Sequence, residues 1–219
     1  MPTNFDSLPN RRTSPFSNKW TLYPKDVLPM WVADADFPVA PQIQRALHEQ
    51  VTHGVLGYEL PTKEFFTIVA ARMKKLYDWE VDPDWLVYTA GVNNGYNIAA
   101  RFLCSPKKGY LIQTPVYNEF QETAEKTGAR QRVAPLEKRV EGNRIRYEVD
   151  FDAFERGVQK SGMFLLCHPH NPVGKIYTRA ELKRMAEICI DHGVIIVSDE
   201  IHSELLLGDA KFTPLAKVS

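Results

Sequence analysis

No run of apolar residues approaches the roughly 18 that a membrane-spanning helix requires, and Met1 to Asn10 lack the apolar stretch of a secretory leader. The sequence is thus expected to be neither exported by a visible signal nor embedded in a membrane, but to work in the cytoplasm. Charge of one sign is also missing, since Lys plus Arg and Asp plus Glu number 27 each in 219 residues. No overall field draws in nucleic acid, an anionic membrane or an acidic partner, so any site is local. Cysteine is scarce. Cys104, Cys167 and Cys189 are widely spaced, each within an apolar run and with no C-x-x-C pair, which predicts buried reduced thiols. Neither G-x-G-x-x-G nor G-x-x-x-x-G-K-[ST] occurs, which removes the two commonest nucleotide fingerprints. His168 and His170 lie close together and far from any carboxylate cluster, so no metal is expected.

A composition of 44% hydrophobic and 25% charged residues can bury a substantial core. Residues 1–40 are punctuated by Pro9, Pro15, Pro24, Pro29 and Pro38, leaving no helical or alternating period; they are expected to form an extended arm that belongs to a small domain. From Pro41, Ile43, Ala46, Leu47 and Val51 recur at helical spacing up to Gly54, and a second helix follows Pro61. Short apolar runs then alternate with helical segments. Strands are predicted at Trp85–Tyr88, Tyr110–Gln113, Met163–Cys167 and Val194–Val197, with a hairpin strand at Arg144–Val149. Runs such as Met163–Cys167, without polar alternation, are covered on both faces. The reading is an α/β fold: a mostly parallel sheet sandwiched by helices, with residues 41–219 forming one large domain.

Ligands of open α/β sheets sit outside the carboxyl ends of the strands. Three such ends carry polar residues. At Thr89–Gly95 a strand gives way to a helix, and Gly91 with the helix start suits a phosphate, although a glycine there is also ordinary punctuation. At Cys167–Gly174 a proline-dense loop follows a buried strand; Asn171 either presents an amide to a ligand or belongs to a helix-entry loop capped by Asn171 or Thr178. At Ser198–His202, Asp199 closes a buried strand and needs a cation, either a structural arginine or a heterocycle with a protonated ring nitrogen.

At these residues the chain resembles a known family. Asn171-Pro172-Val173-Gly174 followed by Ser198-Asp199-Glu200-Ile201-His202 is similar to the signature of the fold-type I pyridoxal-phosphate enzymes, the aspartate-aminotransferase superfamily. Pro29–Phe37, His53–Tyr58, Gln113–Tyr117 and Pro169–Gly174 narrow the resemblance to its PatB/MalY-like cystathionine β-lyase branch, from about residue 5 to the end. The resemblance implies pyridoxal 5'-phosphate as cofactor, with Gly91, Val92 and Asn93 cradling the phosphate and Tyr117 stacked on the ring. It further implies that Asn171 donates to the ring's phenolic oxygen and Asp199 pairs with the ring nitrogen. Tyr58 would reach the phosphate of a partner subunit in a homodimer, unless it is a packed core tyrosine; Ala33 and His202 are candidates on the substrate side. His168, where these lyases more often have Asn, and Asn93-Asn94-Gly95-Tyr96 depart from the pattern and leave substrate preference open.

The resemblance also implies a lysine joined to the cofactor. Lys211 and Lys217 do not follow the expected strand, so that lysine is expected beyond Ser219, with the large domain incomplete at its C-terminal end and the 219 residues alone inactive. The implied activity is β-elimination from cystathionine or a related cysteine S-conjugate, giving a thiol, pyruvate and ammonia. An aminotransferase or a non-catalytic binding protein remain the alternatives.

Overall fold

The computed structural model describes residue 6, residues 8–105 and residues 107–218. The chain divides into two compact units, residues 1–60 and 61–219, so the boundary falls beyond the residue 40 expected from the loss of proline punctuation.

The first unit is less extended than expected. A 3-10 turn at Arg11–Thr13 and a short helix α1 (Asn18–Thr21) interrupt the arm. They are held by side chains, not by backbone period. The Arg11 guanidinium donates to Asp34 Oδ2 at 2.8 Å and Asp36 Oδ1 at 3.1 Å, while Lys19 Nζ and Trp20 Nε1 each reach Asp36 at 2.8 Å. Such a cluster links residues far apart in sequence, which no local pattern discloses. Helix α2 (Pro41–His53) begins with its proline at the first turn, where a missing N–H costs nothing, and ends at Gly54 as predicted. Its Ile43, Leu47 and Val51 are exposed.

The second unit opens with α3 (Lys63–Tyr77), whose start is fixed by Thr62 Oγ1 accepting from Phe65 N at 3.2 Å. Then come α4 (Val92–Leu103), β1 (Gly109–Ile112), α5 (Asn118–Thr127), β2 (Gln131–Val133), β3 (Leu136–Glu141), β4 (Arg144–Val149), α6 (Phe151–Val158), β5 (Ser161–Cys167), α7 (Arg179–Asp191) and β6 (Ile195–Asp199). Strands β2, β1, β5 and β6 lie side by side in that order, and every pairing is parallel. Strands β3 and β4 form a separate antiparallel hairpin.

The pleat of β5 divides the core. Phe164 and Leu166 face Phe154 and Val158 of α6 and Leu182, Met185 and Cys189 of α7. Met163, Leu165 and Cys167 face Tyr96 and Ala100 of α4 and Phe120 of α5. Each face of β5 is thus covered by two helices, as its unbroken apolar run predicts, whereas β6, expected to be covered likewise, is only partly buried and leaves Ile195 exposed. Cys167 and Cys189 are buried free thiols that burial pushes up to about 12, while Cys104 is only partly buried.

One predicted strand does not form. Trp85 ends a 3-10 turn (Pro83–Trp85) capped by Asp82, and Leu86–Tyr88 pair with no strand among the described residues. An extended segment becomes a strand only through a hydrogen-bonded neighbour; without one, Val87 is 84% exposed. Strand β2 went unpredicted because Gln131 and Arg132 break the apolar pattern of an edge strand. No helix is long and apolar enough to cross a membrane.

Candidate functional site

Helix α4 runs against the direction of the strands. A Cβ added to Gly162, the second residue of β5, would overlap the carbonyl oxygen of Leu103, the last residue of α4. The C-terminus of α4 therefore sits at the beginning of β5, and α4 packs on β5 and β6. Its N-terminus, with Gly91, Val92 and Asn93, consequently points to the carboxyl edge of the sheet, where its free N–H groups and dipole favour an anion. Gly91 has φ 99° and ψ 155°, a conformation essentially confined to glycine, and a Cβ there would enter open space. Thr89 Oγ1 donates to Gly91 O at 3.2 Å, holding the turn.

The same edge carries the other expected residues of this unit. Tyr117 is the N-cap of α5, its ring set edge-on to Phe120 at 6.2 Å. Asn171 follows β5, and its side-chain amide makes no hydrogen bond to the described residues, although its backbone N donates to Cys167 Sγ at 3.4 Å. The Asn171–Pro172 bond is cis, as are Thr114–Pro115 and His168–Pro169. Asn171 and His202 line one cavity of about 330 Å³ with Pro172, Leu205 and Leu207.

Asp199 ends β6 beside Cys167 and is 8% exposed. Among the described residues its carboxylate accepts one hydrogen bond, from Ile201 N to Oδ1 at 3.1 Å. No cation among the described residues forms an ion pair with it, so the structural arginine considered from sequence is absent there. Burial, opposed by that bond and by nearby His202, holds the carboxyl above its usual range. Glu200 is pushed up by burial too, but accepts from Ser198 Oγ and Leu215 N, each at 2.9 Å, and is structural. A flat ligand with an anionic end and a protonated ring nitrogen matches these features: an N-terminal helix cradle, an aromatic plate, a free amide and an uncompensated carboxylate.

The departures are also placed. His168 is fully buried, stacked on Phe212 at 4.6 Å with Nε2 3.1 Å from Thr213 O, and burial lowers it to about 4. It is a neutral core histidine that fastens the 212–213 segment to the end of β5. Tyr96, missed as a site residue, is buried on α4 with a hydroxyl that no described residue satisfies. Burial first, then the charges of Glu119, Tyr117 and Asp199, raise its pKa. In the sequence it stood only within the departing stretch Asn93-Asn94-Gly95-Tyr96, which says nothing of its hydroxyl.

The model of the aminotransferase class I and II family matches residues 27–219. The chain belongs to this family. Among its relatives, the cystathionine β-lyase PatB of Bacillus subtilis is 37% identical over 196 residues, covering 89% of this chain and 50% of PatB. Protein MalY of Escherichia coli is 33% identical, covering 89% and 50%. The structure of cystalysin from Treponema denticola, which contains a pyridoxal 5'-phosphate cofactor, superposes with a TM-score of 0.89 at 29% identity, covering all of this chain and 57% of cystalysin. The chain thus spans about half the length of the curated relatives it matches. In the first unit, Ala33 and Tyr58 are both exposed in this chain.

Proposed function

We propose that the carboxyl edge of the sheet binds pyridoxal 5'-phosphate and serves a carbon–sulfur β-lyase acting on cystathionine or a related cysteine S-conjugate. The observation that carries this is Asp199, a buried carboxylate with no cation among the described residues to compensate it. When bound, the cofactor supplies an electron sink for negative charge at the substrate's α-carbon. Asp199 would hold the proton on the ring nitrogen, since a cation beside it offsets the carboxylate's desolvation. Asn171 would donate its free amide to the ring's phenolic oxygen, and Tyr117 would lie against the ring. The N–H groups at Gly91, Val92 and Asn93 would take the phosphate.

The exposed Tyr58 would donate to the phosphate held by a second copy, which makes a homodimer the working unit. Ala33 and His202 would stand on the substrate side. The buried free thiols Cys167 and Cys189 support a reducing compartment, the cytoplasm. The names of PatB and cystathionine β-lyases from mycobacteria and Corynebacterium glutamicum support the lyase over the transaminase.

The test is to incubate the full-length protein and cofactor with cystathionine, and separately with an amino donor and 2-oxoglutarate. Pyruvate and a thiol in the first are expected. A new amino acid in the second without pyruvate in the first would make it an aminotransferase, and no product in either would leave a binding protein.

A further inference from the structure

A buried chain of side chains crosses beneath the candidate site. His170 is 1% exposed, Gln113 and Tyr177 each 2%. His170 Nε2 lies 2.8 Å from Pro115 O, its Nδ1 3.0 Å from Tyr177 Oη, and Tyr177 Oη 3.0 Å from Gln113 Oε1. The donors can be assigned from chemistry. A carbonyl oxygen only accepts, so Nε2 carries a proton. Burial disfavours the imidazolium, so Nδ1 of the neutral ring is a lone pair and takes the single hydroxyl proton of Tyr177. With that proton committed, Tyr177 Oη and Gln113 Oε1 would be two acceptors 3.0 Å apart, so the Gln113 amide is assigned turned over, its NH2 group donating to the tyrosine oxygen. The bonds then run one way, from Gln113 through Tyr177 and His170 to Pro115.

We infer that Gln113, Tyr177 and His170 are positioning residues that fix the loop after β1 to the loop after β5, and so set Tyr117 and Asn171 against each other. This rests on the cofactor reading above. His170 immediately precedes Asn171, and Pro115 lies two residues before Tyr117. The loop holding Asn171 is closed on the same residue, since His170 N donates to Lys175 O and Gly174 N to His170 O, each at 2.8 Å. Gln113 directly follows β1, and Tyr177 precedes Thr178, the cap of α7. The chain thus joins a strand end and a helix start to both expected ring contacts, while none of its three side chains is itself one of them.

The experiment uses the full-length protein with pyridoxal phosphate. Tyr177→Phe keeps the ring and removes the hydroxyl; cofactor affinity is expected to fall about five- to tenfold, the worth of one buried hydrogen bond, and the circular dichroism of the bound cofactor to change as the ring tilts. Tyr110→Phe is the control. It also removes a buried tyrosine hydroxyl, one that donates to Phe120 O at 2.9 Å, but outside the chain of bonds, and is expected to lower melting temperature while leaving the cofactor signal alone. Gln113→Leu breaks the far end and gives the second reading should Tyr177→Phe not fold. An unchanged affinity and dichroism in these variants, or an equal loss in the control, overturns the inference. Independently of cofactor, nitrogen spectra of the His170 ring are expected to show the neutral Nε2–H form; a charged ring or an Nδ1–H form overturns the assigned direction. A wild-type protein that binds no pyridoxal phosphate defeats the proposed function instead, and the His170 spectra still decide the direction of the bonds.

Discussion

At the scale of the residue, the site is marked by polar groups whose burial is not compensated. The burial of Asp199 was expected from the apolar run Val194–Val197 before it, although β6 itself is only partly buried and Ile195 is exposed. The unsatisfied hydroxyl of Tyr96 was not, because a hydroxyl's surroundings are set by residues distant in sequence. These two residues give opposite expectations. Burial raises the Asp199 pKa, so the folded protein holds that proton more tightly than the unfolded chain. This contribution is fully present at acid pH, below the ordinary carboxylate range, and is lost as pH rises through the raised value. Asp199→Asn, which has no charge to bury, should therefore make the cofactor-free protein more stable at pH 7 by on the order of 1 kcal/mol, with the gain vanishing below about pH 4. If the proposed function holds, the same substitution lowers the lyase turnover of the full-length protein by orders of magnitude. Denaturant midpoints across pH decide the first part; a variant less stable than wild type at neutral pH contradicts it. Removing the unsatisfied hydroxyl in Tyr96→Phe should leave stability unchanged or raise it by about 1 kcal/mol. A clear loss would show that the hydroxyl has a partner, such as a bound water.

At the scale of the element, helix ends carry local chemistry. Thr178 and Glu181 form a reciprocal capping box at the start of α7, Asp150 caps α6, and α2 starts at Pro41. Strands were read where they are buried on both faces, as β5 is. They were misread where pairing decides the outcome: β2 is a strand despite its polar residues because β1 lies beside it, and Leu86–Tyr88 is not one because nothing does. Contacts of this kind join residues distant in sequence, and periodicity carries no information about them. The packing of α4 on β5 is another, and it aims the anion-binding end of α4. Gly162→Ala would drive a methyl group into the Leu103 carbonyl oxygen, and relief requires backbone movement. The expected cost is about 1–3 kcal/mol in a denaturation curve, with weaker phosphate binding as α4 shifts. A stability equal to wild type would mean that α4 does not approach β5 this closely.

At the scale of the whole molecule, family membership and the parallel sheet agree with one another and with a proposed site at the sheet's carboxyl edge, and the resemblance is what favours a heterocycle over a structural cation at Asp199. The division at residues 60 and 61 was not legible, because it reflects contacts among folded segments and not the proline punctuation that ends near residue 40. The account's central claim is that the ends of β1, β5 and β6 and the start of α4 together hold one pyridoxal-phosphate molecule. A crystal structure of the full-length protein with this cofactor tests that claim most directly. It should show the ring nitrogen within hydrogen-bonding distance, about 2.7–2.9 Å, of an Asp199 carboxylate oxygen, with the phosphate on the backbone N–H groups that follow Gly91. A ring nitrogen facing another residue, or a phosphate bound away from the start of α4, would contradict it.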